Sequence, residues 1–261
     1  MIKNFRFKVE FAVRMRKKPN LIPRMERCAR LLLPTAAETA PQRGHWRDLM
    51  PEATALHVEL GCGKGRFTVE TAAQNPDVLF IAIERVPDAM VIAMERAMEL
   101  GLHNVFFMDD DAARLPLIFE QGEVDRIYVN FCDPWPGHKH ARRRLTSEGF
   151  LSVYRQVLKD GGQIHFKTDN HDLFEWSLFQ FPKVGYELSE VTRNLHENGP
   201  CGVMTDYEEK FHNLGTPINR CVGTKLHLDP EPEFIPLHIK QGPVETEEER
   251  PAAASEETTD A

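Results

Sequence analysis

The chain has 261 residues, 41% of them hydrophobic, and a formal net charge of −8. This length and composition suit one domain with a sizeable core, and no apolar run approaches the ~18 residues of a membrane-spanning helix. Five cysteines without a C-x-x-C pair exclude an obvious disulfide framework or zinc site. The first residues lack a secretory signal pattern, so we expect a cytoplasmic protein with reduced thiols. We also expect no metal, no membrane contact and no obligate protein partner.

The first predicted segment is a basic arm at residues 1–50, containing a helix at most. Residues 1–47 carry twelve basic and three acidic side chains, so the negative net charge does not exclude a polyanionic partner. A solvated arm without a function is the alternative interpretation.

From residue 51 to residue 228, short apolar runs alternate with stretches of helical periodicity. The predicted strands are 55–60, 78–83, 104–108, 126–131, 162–168, 186–192 and 219–226, and the predicted helices are 64–73, 87–100, 112–120, 147–158 and 171–179. This alternation predicts an α/β fold with a mostly parallel seven-stranded sheet and helices on both faces.

A glycine-rich loop follows the first of these strands. Glu59, Gly61, Gly63 and Gly65 form the pattern E-x-G-x-G-x-G. Ligands of nucleotide-binding α/β folds lie at this end of the strands, where glycines allow a tight turn. The dinucleotide fingerprint would have glycine where Arg66 stands, so this loop is not that motif. A plain strand–helix turn is the alternative interpretation.

Acidic residues end the next two predicted strands. Glu84 suits a carboxylate that accepts two ribose hydroxyls, and a residue of Asp109–Asp111 could meet an adenine amine. Together with Glu59, these acids fit the cationic sulfonium nucleoside S-adenosylmethionine better than a pyrophosphate. The sequence therefore predicts this cofactor.

The stretch NFCDPWPGHKHARRRL, residues 130–145, follows the fourth predicted strand. Two prolines stiffen the backbone around Asp133 and Trp135, and the indole offers a flat face for a base. Cys132 is either a nucleophile for carbon methylation or inert packing, and we favour packing because nothing nearby depresses its pKa.

The same stretch continues into a basic run. We expect this run to contact phosphates, although a solvated charged face is the alternative. The candidate RNA-binding residues are Lys139, His140, Arg142, Arg143 and Arg144.

Four motifs in order resemble a known family, the bacterial tRNA (guanine-N7-)-methyltransferases. They are VELGCGKG, DPWP followed by H-x-R-R-R-L, IHFKTDN and TDYEEKF, and the resemblance covers about residues 55–222. It implies a Rossmann-like class I methyltransferase fold with S-adenosylmethionine as the methyl donor. The implied acceptor is N7 of a guanine in the variable loop of tRNA.

The resemblance also implies roles for individual residues. Asp133 matches the proposed catalytic residue, and the cofactor pocket comprises Glu59, Gly61, Gly63, Glu84, Asp111 and Asp133. Substrate contacts are implied for Asp169, Thr205, Asp206, Tyr207 and Glu208. Asp133, with Asp169 and Glu208, would accept hydrogen bonds from N1–H and the N2 amino group of guanine.

One position departs from the family pattern, and one motif also has a structural interpretation. The family usually has lysine where Gly137 stands, so Lys139 or the Arg142–Arg144 run would have to replace that contact. Thr205 and Glu208 also match the N-cap and the third helical residue of a capping box, which is compatible with a substrate contact.

Two other functions compete with this one. Amino-group methyltransferases carry [DN]-P-P-aromatic at the same strand end, but Trp135 stands where their second proline belongs. A non-enzymatic RNA-binding module is the other alternative, and the intact acids Glu59 and Glu84 disfavour it.

The last predicted segment, residues 229–261, is an acidic tail. It has ten acidic and two basic side chains, is not part of the resemblance, and has the composition of a disordered segment.

Overall fold

The structure is a computed structural model that describes residues 20–237. The described chain forms a single sheet with helices on both faces. Its strands are Leu32–Leu33 (β1), Ala55–Leu60 (β2), Val78–Ile83 (β3), Val105–Met108 (β4), Val124–Asn130 (β5), Leu158–Thr168 (β6), Tyr186–Thr192 (β7) and Asn219–Lys225 (β8). Its α-helices are Leu21–Arg27 (α1), Ala36–Thr39 (α2), Arg66–Gln74 (α3), Pro87–Glu99 (α4), Leu115–Ile118 (α5), Glu148–Val157 (α6), His171–Leu178 (α7) and Asp206–Asn213 (α8).

The strand order across the sheet is β1-β4-β3-β2-β5-β6-β8-β7. Strands β1 to β6 pair in parallel, whereas β8 is antiparallel to both β6 and β7. The chain builds the sheet outward from β2 in one direction and then returns to add β5 on the other side. The border between β2 and β5 is therefore the topological switch point, where open α/β sheets bind their ligands.

Both faces of the central strands are buried. One apolar cluster joins β2, β5 and β6 to α6 and α7, and a second joins β3 and β4 to α1, α3 and α4. Strand β3 is buried at every position, which agrees with a parallel strand covered on both sides. Because helices cover the faces, polar groups reach solvent at the carboxyl ends of the strands.

The predicted α/β class and the predicted sheet with helices on both faces are confirmed, with one more strand than expected. The additional strand, β1, has only two residues and lies in the segment for which we expected a helix at most. Predicted helix 112–120 is a 3₁₀ turn at Ala112–Arg114 followed by the short helix α5. A 3₁₀-helix also forms over the basic run, at His138–Arg143.

The described part of the predicted arm packs against the domain. Trp46 is fully buried and donates its indole N–H to the Ile118 carbonyl at 2.8 Å. Leu21 and Met25 of α1 are buried, and α1 contacts α4 through the pair of Arg24 with Glu95. Residues 20–50 therefore share the core of the domain. Residues 1–19 of the predicted arm and residues 238–261 of the predicted tail lie outside the described residues, and the division of the chain at residues 50 and 228 stays a prediction.

Candidate active site

The glycine-rich loop connects β2 to α3 at the switch point. Gly61, Gly63 and Gly65 all have positive φ, at 76°, 55° and 75°. At Gly65 an added Cβ would also collide with Ala93 of α4, so a side chain is excluded both by conformation and by space. This close approach fixes the beginning of α3 against α4 and leaves Gly61 and Gly63 at the mouth of the loop.

Glu84 holds the loop from the end of β3. One carboxylate oxygen accepts the Gly63 N–H at 2.8 Å, and the other accepts the Val86 N–H at 2.9 Å. Each oxygen keeps a second lone pair, so the fixed carboxylate can still accept hydroxyl donors.

Glu59 lies at the end of β2, and its side chain is buried on the α3 face of the sheet. Its carboxylate accepts hydrogen bonds from the Thr68 hydroxyl and from Nδ2 of Asn130, the latter at 2.9 Å. Burial raises the pKa of Glu59 to about 7, although these two hydrogen bonds act in the opposite direction. A cation beside this carboxylate would favour its ionised form.

Three consecutive aspartates follow β4. Asp110 is buried and accepts the Ala36 N–H at 2.6 Å, so its role is structural. Asp111 caps the following turn by accepting the Ala113 N–H and pairs with Arg85 at 3.1 Å. Burial and the neighbouring carboxylates of Asp110 and Glu84 raise the pKa of Asp109 to about 6. Asp109 therefore lies within electrostatic range of Glu84, and Asp111 is partly exposed.

The loop that follows β5 carries Asp133 and Trp135. Asp133 is exposed, and its carboxylate makes no hydrogen bond or ion pair with any residue in 20–237. Trp135 has a φ of 42°, a backbone conformation that residues other than glycine seldom adopt. Burial raises the pKa of the neighbouring Cys132 to about 12, so its thiolate is scarce at neutral pH. The packing interpretation of Cys132 agrees with this pKa.

Two arginines of the basic run hold this loop. The guanidinium of Arg143 lies 4.1 Å from the centroid of the Trp135 ring and covers one face of the indole. Arg144 donates to the Pro134 carbonyl at 3.0 Å and to the Trp135 carbonyl at 3.2 Å. It also lies over the ring of Trp176, 4.4 Å from the centroid. These cation–π contacts and hydrogen bonds fix the strained backbone of the loop.

The other members of the basic run are oriented differently. Lys139 and Arg142 are exposed, and their charged groups have no partner in the described part of the chain. The ring of His140 lies 6.3 Å from that of Trp135. Gly137, which stands where the family usually has lysine, has a φ of 85° and begins the 3₁₀ turn. The unpaired cations therefore form the outer surface of a loop whose inner surface is held by Arg144.

Helix α8 begins at the TDYE motif, and the predicted capping box is present. The Thr205 hydroxyl accepts the Glu208 N–H, and the Glu208 carboxylate accepts the Thr205 N–H. Glu208 is fully buried and pairs with Lys167 at 2.6 Å, and His196 lies 3.0 Å from its second oxygen. Both carboxylate oxygens are thus engaged inside the protein, which leaves no exposed oxygen for a base.

The remaining predicted substrate residues differ in how free they are. Asp206 pairs with Arg96 at 3.0 Å, which connects α8 to the helix beside the glycine loop. Tyr207 is 64% exposed, and Asp169 is partly exposed directly after β6. Among the predicted substrate contacts, Tyr207 and Asp169 therefore have side chains that solvent or a substrate can reach.

Sequence reasoning missed three residues that hold the buried carboxylates of Glu59 and Glu208. Asn130 contacts Glu59, and Lys167 and His196 both reach Glu208. A signal existed for Asn130, since asparagine is depleted in strands and here it ends one. Nothing in the local pattern distinguishes Lys167 or His196 from solvent-facing residues.

Residues 20–237 contain neither a cluster suited to a metal ion nor a membrane-spanning helix. No set of three or more histidine, cysteine, aspartate or glutamate side chains there is arranged to hold a metal ion. No helix there combines the length and apolarity needed to cross a membrane.

Comparisons with known proteins point to one family. A family model described as a putative methyltransferase matches residues 53–221. A tRNA (guanine-N(7)-)-methyltransferase of Bacillus velezensis is 44% identical over 185 residues, which cover 70% of this chain and 85% of the relative. A tRNA (guanine-N(7)-)-methyltransferase of Geobacillus sp. (strain WCH70) is 39% identical over 231 residues, covering 88% of this chain and 100% of the relative.

The crystal structure of the 16S rRNA methyltransferase KamB is similar in fold. It superimposes with a TM-score of 0.55 at 18% sequence identity and covers 70% of this chain and 94% of that one. At this level of identity the likeness shows a shared fold alone.

Proposed function

The chain belongs to the family of tRNA (guanine-N7-)-methyltransferases, and from that premise we propose how its residues carry out the reaction. The fold is the Rossmann-like fold of class I methyltransferases. The activity is the transfer of a methyl group from S-adenosylmethionine to N7 of guanine in tRNA. The guanine of the variable loop is the acceptor that we propose within the tRNA.

The residues at the switch point fit this cofactor. S-adenosylmethionine supplies an electrophilic methyl group on a sulfonium cation. Glu84 keeps free lone pairs on a carboxylate that the Gly63 and Val86 amides have already oriented, which suits the ribose hydroxyls. Asp109 and Asp111 end the neighbouring strand, where they suit the adenine amine. Glu59 adds a buried carboxylate close to the loop, where a cation would be favourable.

The acceptor side is formed by the loop after β5. Guanine N7 already has a lone pair, so the protein needs no general base to create the nucleophile. Asp133 is exposed and unpaired within residues 20–237, so its carboxylate is available to accept hydrogen bonds from N1–H and the N2 amino group of guanine. Adenine lacks both donors, so it would leave this acceptor unsatisfied and bind less well.

The neighbouring residues either bind tRNA phosphates or hold the conformation of the site. Lys139 and Arg142 hold phosphates, because their charges are exposed and unpaired in the described chain. Arg143 and Arg144 keep Trp135 in its left-handed conformation. Glu208 acts from inside the protein, where it fixes the N-terminus of α8 so that Tyr207 faces outward. The reaction is promoted mainly by alignment, which can lower a barrier by about 7–11 kcal/mol.

One observation carries this proposal: the acids at the ends of β2, β3 and β4 stand on one side of the switch point, and unpaired Asp133 follows β5 on the other. The test is incubation of the protein with transcribed tRNA and S-adenosylmethionine labelled on the methyl group, followed by digestion to nucleosides. We expect label in 7-methylguanosine. Label in N6-methyladenosine, or no labelled nucleoside, would contradict the proposal.

A further inference from the structure

An amide oxygen at the end of β5 has no partner. Asn130 is 6% exposed, and its Nδ2 donates to Glu59 Oε1 at 2.9 Å. Its Oδ1 is buried and accepts no hydrogen bond from any described residue. Buried polar atoms without a partner are rare in native proteins and are destabilising. The amide oxygen therefore lacks a donor among residues 20–237, and a bound ligand could supply one.

Glu59 fixes the direction of this amide. When Glu59 is ionised, its carboxylate only accepts hydrogen bonds, so the NH₂ group of Asn130 faces Glu59 and the amide oxygen points away from it. Lys167 is the cation on the neighbouring strand, paired in register with Asn130. Its ammonium is already engaged by Glu208 at 2.6 Å and by the Val203 carbonyl at 3.2 Å, and it makes no hydrogen bond to Asn130. The ammonium group of Lys167 is thus committed to other partners.

The position of Asn130 indicates what kind of donor would satisfy it. Asn130 lies on β5 and Glu59 on β2, so the pair straddles the switch point beside the glycine loop. S-adenosylmethionine offers three kinds of donor: the ribose hydroxyls, the adenine amine and the α-ammonium group. The first two suit the acids that end β3 and β4. The ammonium remains, and its charge matches the carboxylate that holds the amide.

We propose that Asn130 Oδ1 accepts a hydrogen bond from the α-ammonium group of the amino-acid portion of S-adenosylmethionine, and that Glu59 orients the amide for this contact. The inference rests on the proposed function for the identity of the cofactor. It assigns to Asn130 a direct contact with the amino-acid end of the cofactor.

The test measures cofactor binding without tRNA, by calorimetry with two ligands. S-adenosylhomocysteine carries the α-ammonium group, whereas 5′-methylthioadenosine has the same nucleoside and thioether but no amino acid. Asn130→Leu removes the acceptor at similar volume. We expect it to weaken S-adenosylhomocysteine about tenfold to a hundredfold, the effect of losing a hydrogen bond to a charged group. Binding of methylthioadenosine should change less than about twofold.

A matched control exists in α3. The hydroxyl of Thr71 is also buried without a partner among the described residues, but it lies in the helix and away from the strand ends. Thr71→Val should leave the affinities for both ligands unchanged. Binding of methylthioadenosine also reports whether each variant is folded, and Asn130→Ala should repeat the pattern of Asn130→Leu.

Two outcomes would overturn the inference. Equal weakening of both ligands by Asn130→Leu and Asn130→Ala would mean that the residue supports the pocket without recognising the ammonium. Unchanged affinity for S-adenosylhomocysteine would mean that the oxygen has no part in binding. Either outcome would leave the formation of 7-methylguanosine by the wild-type protein intact, so a failure here is distinguishable from a failure of the proposed function.

Discussion

The ammonium group of Lys167 lies 2.6 Å from a carboxylate oxygen of Glu208, and both side chains are almost completely buried. Lys167 belongs to β6 and Glu208 to α8, so the pair fastens the TDYE helix to the sheet. His196 adds a third residue to this pair, from the segment between β7 and α8. Its Nδ1 accepts the Cys201 N–H at 3.1 Å, so Nε2 carries the proton that is donated to Glu208.

The first prediction concerns this buried pair. Lys167→Met leaves the carboxylate of Glu208 buried without its counter-charge and should lower the free energy of unfolding by about 3–5 kcal/mol. The double substitution Lys167→Met with Glu208→Gln should recover part of that loss, because no unpaired charge remains. Thermal or denaturant unfolding measures both.

An exposed ion pair provides the control for that experiment. Lys183 lies 2.7 Å from Glu148, but both side chains are well exposed. Lys183→Met should therefore cost at most about 1 kcal/mol. If Lys167→Met were no more destabilising than Lys183→Met, the buried pair would not be what holds α8.

The second prediction concerns the pH dependence of cofactor binding. Burial raises the pKa of Glu59 to about 7 in the free protein. The α-ammonium group of S-adenosylhomocysteine, bound beside this carboxylate, should lower the pKa again, so binding should release a proton near neutral pH. The affinity for S-adenosylhomocysteine should rise with pH, by at most about tenfold per pH unit, and level off above pH 7. Calorimetry in buffers of different ionisation enthalpy counts the released protons.

Glu59→Gln should abolish this proton release, because the amide does not titrate. Asp109→Asn is the matched control, since the pKa of Asp109 is also raised, to about 6. It should leave most of the release at pH 7 in place. Full proton release by Glu59→Gln protein would assign the titration to another group.

The third prediction concerns Asp133. Asp133→Ala should lower the rate of methyl transfer by at least about a hundredfold, because the acceptor base loses its orientation. The affinity for tRNA in a gel shift should change little, since phosphate contacts supply most of it. Asp48→Ala is a suitable control, because Asp48 is exposed and unconnected with the loop after β5. Turnover of Asp133→Ala equal to that of Asp48→Ala would remove Asp133 from the catalytic machinery.

The fourth prediction separates two arginines of the basic run. Arg142→Gln removes an exposed, unpaired charge, so it should weaken tRNA binding and reduce the salt dependence by about one phosphate contact. Arg144→Gln removes the hydrogen bond to the Trp135 carbonyl, so it should lower the rate of transfer at saturating tRNA as well. Steady-state kinetics at several salt concentrations distinguishes the two.

Lys159→Gln is the control for the salt dependence. Lys159 pairs with Asp125 near the beginnings of β5 and β6, at the other end of the sheet. Its substitution should leave the salt slope of tRNA binding unchanged. Identical effects of Arg142→Gln and Arg144→Gln would show that the run acts as one uniform charged surface.

Much of the fold could be predicted because its strands are short apolar runs separated by helical periodicity. Strands β2, β3 and β7 have the predicted bounds. Strand β6 begins four residues earlier than predicted. The prediction left out these four residues, LKDG, because they have the composition of a turn. Strand β1 was missed because two residues leave no periodic pattern, and its pairing with β4 joins residues far apart in the chain.

The site was predictable where chemistry follows a strand end, and less so where it depends on tertiary contacts. The capping box of Thr205 and Glu208 is a local pattern, and it was found. The burial of Glu208 is not local, because Lys167 lies 41 positions before it in the chain. Likewise, the inward role of Arg144 depends on the left-handed conformation of Trp135, which the sequence does not reveal.

If N7 of a variable-loop guanine accepts the methyl group, replacing that one atom should abolish the reaction. A tRNA assembled with 7-deazaguanosine at this one position has C–H in place of N7 and is otherwise unchanged. We expect this tRNA to bind the protein as tightly as unmodified tRNA but to take up no labelled methyl group. Methyl transfer to the substituted tRNA at the unmodified rate would contradict it.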